Sequence, residues 1–125
     1  MPTRLLSLTL LLALVAGLMA VSAGATRRPS PDEAKAIRAS TELWLKRNLE
    51  PAFYRKTHIH RMVVSSKDHQ YAKVLVLVRD VGYNAMLLRA TSRGWKVLDF
   101  GSSGFNCGIA PRAVLKELFG GCGSG

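Results

Sequence analysis

Between Tyr54 and His58 the spacing of apolar residues changes from roughly 3.6 to 2, and few folds accommodate that switch. Before it, Ser30-Pro31-Asp32-Glu33 carries a full set of helix-start signals. Ser30 suits the N-cap, Pro31 the first helical position, and Glu33 closes a capping box. Asp32 and Glu33 also complement the positive end of the helix dipole. Ala34, Ile37, Thr41, Trp44, Leu45 and Asn48 then recur at three- and four-residue steps, which predicts a helix over Pro31–Arg47 with one buried stripe. After the switch come four strand candidates, His58 to Ser65, Gln70 to Arg79, Tyr83 to Thr91 and Trp95 to Phe100. Their short connections call for an antiparallel meander. Pro111 opens a short apolar segment through Phe119 that stops at Gly120-Gly121, a second helix. The fold expected is α+β: an N-terminal helix on a four-stranded meander, with a short C-terminal helix.

The turns propose a register. Asp80-Val81-Gly82 and Ser92-Arg93-Gly94 both read as three-residue hairpin loops with Gly in the left-handed position. Position 79 then lies opposite 83, and 91 opposite 95. One face collects Ala72, Val74, Val76, Val78, Met86, Leu88, Leu98 and Phe100, almost purely apolar. The other carries Tyr71, Lys73, Leu75, Leu77, Arg79, Tyr83, Leu87, Arg89, Trp95, Val97 and Asp99, too apolar for a solvated surface and too charged for a core. Lys73 would face Arg89, a like-charge pair that an intervening anion or carboxylate such as Asp99 would relieve. The first strand has two readings. Either His60, Met62 and Val64 join the core, or Ile59, Arg61 and Val63 do; the former buries no arginine.

Residues 1–25 have the pattern of a secretory signal. Arg4 precedes an apolar run from Leu5 to Val21, and Ser22-Ala23-Gly24-Ala25 supplies small residues for cleavage after Ala25. The alternative is an uncleaved membrane anchor, for which the run is short; no cysteine follows it to carry a lipid. Residues 26–125 would form one mature domain, secreted or periplasmic and monomeric. In that oxidising setting Cys107 and Cys122, which bracket the last helix, would form a structural disulfide worth about 3 kcal/mol. A redox-active or intermolecular thiol is the alternative.

Eighteen Lys and Arg against eight Asp and Glu give +10, or +9 once Arg4 leaves with the leader. Such a charge favours anionic partners, although the basic residues are scattered from Arg27 to Lys116 rather than clustered, which argues against specific nucleic-acid binding. The chemistry-bearing motifs are weak. His58-Ile59-His60 is an H-x-H pair of the kind that starts a zinc or copper site, but no third ligand accompanies it. Gly101-Ser102-Ser103-Gly104 is neither a nucleophile elbow nor a phosphate loop. No metal site, cofactor or catalytic residue is therefore assigned.

The tail Gly94-Trp95-Lys96-Val97-Leu98-Asp99-Phe100-Gly101-Ser102, with Cys107, Pro111, Val114, Leu118 and Cys122, resembles the ends of small exported bacterial proteins of unknown function. The element order is similar to cystatin-like and NTF2-like architectures, in which a curved sheet wraps the first helix. That resemblance implies a fold and little about activity. The Q-x-V-x-G hairpin of cystatins is missing, since Gln70 opens a strand without it. The functional expectation is a non-enzymatic binding or accessory domain that contacts an anionic envelope partner through Tyr71, Lys73, Arg79 and Arg89. The alternative is a small hydrolase or inhibitor-like module using the Gly101–Gly108 loop.

Overall fold

The computed structural model describes residues 26–102 and 104–123; the expected leader lies outside them. Helix α1 spans Pro31–Asn48, and its capping box is complete. The Ser30 hydroxyl accepts from the Glu33 amide at 3.2 Å, and the Glu33 carboxylate accepts from the Ser30 amide at 3.0 Å. Arg27 adds a two-pronged contact to the same carboxylate, at 2.7 and 2.8 Å. Those bonds, Arg27 first and the Ser30 amide next, pull the Glu33 pKa down to about 2. The buried stripe is Ile37, Thr41 and Leu45, one residue per turn. Asn48, expected in that stripe, is exposed, and its amide donates to the Trp44 carbonyl instead. A single turn, α2 (Pro51–Tyr54), redirects the chain into the sheet.

Strands β1 (Thr57–Val64), β2 (Tyr71–Val78), β3 (Gly82–Thr91) and β4 (Gly94–Gly101) form an antiparallel sheet in sequential order, the expected meander. Helix α1 covers one face. There Ile37 and Leu45 meet Val64, Ala72, Val74, Val76, Met86 and Leu88, all but fully buried, and Trp44 lies against Phe100. Each such aliphatic contributes about 1.5–3 kcal/mol by leaving water. Helix α3 (Arg112–Phe119) covers part of the other face, setting Val114, Leu115 and Leu118 against Tyr71, Leu87 and Phe105. It begins one residue later than expected because Pro111 is extended and serves as the N-cap.

The strand registers differ from expectation in three instructive ways. Between β2 and β3, Val78 pairs with Gly82, so Lys73 faces Leu87 and Arg89 faces Tyr71; the like-charge pair Lys73–Arg89 does not form. The cause is the turn. Asp80, not Gly82 alone, takes a left-handed conformation (φ 69°), beside Lys56, and the loop becomes Arg79-Asp80-Val81. An offset of two residues leaves the faces unchanged.

Between β3 and β4 the offset is one. Thr91 pairs with Gly94 (φ 112°) and Ala90 with Trp95, which turns Trp95 and Val97 toward α1 rather than onto the second face. A bulge at Leu98 then restores the phase, so Phe100 stays in the core while Leu98 joins the second face. Packing the Trp95 indole, half-buried, against the α1 core accounts for the arrangement; the simple alternation puts it on the second face. In β1 a similar bulge at His60 divides the two expected readings. Ile59, Met62 and Val64 pack in the core, whereas Arg61 and Val63 face the other way, opposite Leu75 and Lys73.

Candidate anion-binding site

The second sheet face holds two of the cavities among the described residues. Helix α3 packs on β2 and the middle of β3, held by several anchors. Cys107 and Cys122 form a disulfide across the expected 15-residue separation. The αL residue Gly120 (φ 79°) ends the helix, and its amide returns to the last turn. Glu117 accepts from the Ser66 amide at 3.0 and 3.1 Å and from the Ser66 hydroxyl, tying α3 to the β1–β2 turn. Burial pushes the Glu117 carboxyl up, but hydrogen bonds from Ser65, Ser66 and the Lys67 amide outweigh it and hold the pKa below its ordinary value. Glu117 is therefore a carboxylate committed to structure.

Beyond the edge of α3, Arg61 and Lys73 come together. They occupy diagonal positions in a block with Val63 and Leu75, a spacing at which long side chains meet. Both line one cavity, and burial first, then the Arg61 charge, lowers the Lys73 pKa. The Lys73 ammonium lies 5.1 Å from the Phe119 ring centre and donates to the Leu118 carbonyl at 2.9 Å. That bond caps α3 and leaves two of the three ammonium N–H groups for other acceptors. Neither cation is ion-paired among the described residues.

Two cavities flank Lys73. The smaller, about 230 Å³, is lined by Thr26, Arg61, Val63, Lys73, Leu75, Glu117 and Leu118. The larger, about 500 Å³, runs past Tyr83 and Ala85 to Gly101, Ser102 and Phe119. Lys73, Leu75 and Leu118 belong to both, so the paired cations adjoin a cavity of mixed lining that also holds Tyr83, Asn84 and Ser102. Ser102 lines the larger cavity, and no imidazole or carboxylate stands beside it among the described lining residues.

The four residues expected to bind an anion are not gathered at one point. Lys73 is at the site. Tyr71 is 8% exposed and packs beneath α3 as core. Arg89, opposite Tyr71, and Arg79, in the turn beyond Val78, are exposed at opposite ends of the sheet. Eight residues of extended chain separate those ends, roughly 26 Å. Arg61, absent from that set, is the residue brought to Lys73. His58 and His60 are exposed on β1, and the His60 ring leans on Tyr83. Comparison with protein-family models, with curated proteins and with solved structures finds no match to the chain. Among the described residues no helix is long and apolar enough to cross a membrane.

Proposed function

We propose that the chain is an exported, non-enzymatic binding domain that holds an anionic partner on its second sheet face, at Arg61 and Lys73. One observation carries this reading: two cations adjoin over an apolar floor of Val63, Leu75 and Leu118 with no carboxylate paired to either among the described residues. Like charges within reach of one another repel. A bound anion reverses the sign of that contribution. Export is supported by the leader pattern of residues 1–25, by the resemblance of the tail to small exported proteins, and by a disulfide, which persists in oxidising compartments.

The discriminating variant is Arg61→Gln, because Lys73 also caps α3 and its replacement would disturb packing. Arg61→Gln is expected to weaken retention on anionic vesicles or anionic polysaccharide, while Arg89→Gln, outside the site, leaves it nearly unchanged. Equal retention of wild type and Arg61→Gln would overturn the reading.

A further inference from the structure

The residue next to the expected cleavage point lies inside the smaller cavity. Thr26 is half-buried and lines it together with Arg61, Lys73 and Glu117. Its position is set by its neighbour. The Arg27 amide donates to the Val64 carbonyl at 3.0 Å, and the Arg27 carbonyl accepts from the Val64 amide at 2.8 Å, which adds a short bridge to the outer edge of β1. The Arg27 side chain is held in turn by Glu33. The start of the domain is therefore fastened at two points just beyond Thr26.

Hydrolysis of the Ala25–Thr26 peptide bond by a signal peptidase consumes a water, leaving a carboxylate on the released Ala25 and an amine on Thr26. An α-amino group ordinarily titrates at about 7.7–8.0, so at neutral pH it is mostly an ammonium. A neutral amide thus becomes a cation on a residue that lines the same cavity as Arg61 and Lys73. We propose that removal of the leader completes the anion site: the Thr26 ammonium is its third cation, with Arg61 and Lys73, and the site takes a phosphomonoester or phosphate dianion. The inference rests on the reading of this face as an exported anion-binding surface. Three cations against Glu117 leave a surplus of two charges, which matches a dianion better than a single carboxylate. Glu117 keeps its negative charge, which that count includes, while its oxygens accept from Ser66. The guanidinium fork and two ammonium groups together also supply donors on several sides of a tetrahedral anion.

The experiment uses three forms of the mature domain: one beginning with a free Thr26, one acetylated at that nitrogen, and one retaining Gly24-Ala25 ahead of it. Each is titrated with inorganic phosphate by calorimetry, with and without Arg61→Gln, and each is tested against phosphatidylcholine vesicles with and without phosphatidic acid. The free-Thr26 form is expected to bind phosphate roughly fivefold more tightly than the other two, the factor one added unit charge supplies in a solvent-exposed cavity. Preference for phosphatidic acid vesicles would identify a lipid headgroup as the source of the phosphate; binding of inorganic phosphate alone would identify the free ion. Equal affinity of all three forms, with Arg61→Gln still weakening each, would overturn the inference and leave the anion-binding reading standing. Insensitivity to both Arg61→Gln and the state of the amine would overturn both.

Discussion

The two faces of one sheet are closed by different means. The face under α1 is sealed by area: Ile37, Val74, Val76, Met86 and Leu88 are fully buried, and a helix of 18 residues lies across them. The face under α3 is sealed by attachment. Its helix has eight residues, and a disulfide, a glycine cap, Glu117 and Lys73 hold it in place. Cavities also lie along the long helix, one of about 310 Å³ beside Arg38, Glu42 and His58. The short, tethered helix covers part of the sheet and leaves a charged margin, where Arg61 and Lys73 stand.

That contrast can be broken on either side. The largest effect is expected on the α1 face, where Leu88→Ala should cost about 2–5 kcal/mol in denaturant unfolding, for the lost burial and the cavity it leaves. Next is the tether. Replacing Cys107 and Cys122 together by Ser should cost about 3 kcal/mol. Hydrogen exchange in that variant should rise first in the α3 amides while Val74 and Val76 stay protected; uniform loss of protection would show that the two faces are not separable. Smaller still is the cap. Ser30→Ala should lower stability by about 1 kcal/mol, measured by thermal or chemical unfolding.

The smallest effect is pH-dependent. The folded pKa of Glu33, about 2, lies below its unfolded value, so its contribution is complete above the unfolded pKa of 4.5 and fades as pH falls toward 2. Glu117 shifts in the same direction. Arg27→Gln should flatten the acid limb of the stability profile, because it removes the first cause of the Glu33 shift; an unchanged limb would assign the acid sensitivity to Glu117.

Sequence periodicity reached the elements of this fold but not their phase. The capping box at Ser30, the strand order and the Cys107–Cys122 bridge each follow from local chemistry, and each is present. The bulges at His60 and Leu98 are not local in that sense. They are decided by which side chains win burial against α1, a competition among residues far apart in the chain. Their trace is nonetheless in the spacing. The core residues of β1 are Ile59, Met62 and Val64, and those of β4 are Trp95, Val97 and Phe100. In each strand one step of three interrupts the steps of two, and the bulge occupies that gap. The reading with His60, Met62 and Val64 in the core already puts Arg61 on the second face with Lys73, but unbroken alternation does not give the β1–β2 pairing that sets the two diagonally together. Arg89 entered the expected site through a register two residues off, which set it opposite Lys73, and Arg79 through face parity, which says nothing about distance along a strand.

The most direct test is a titration of the mature protein with inorganic phosphate followed by amide and side-chain NMR. Shifts are expected at Thr26, Arg61, Val63, Lys73 and Leu118, with Arg79 and Arg89 still. Shifts centred on Arg79 or Arg89, or none in the cavity between β1 and α3, would contradict a site built on the His60 bulge.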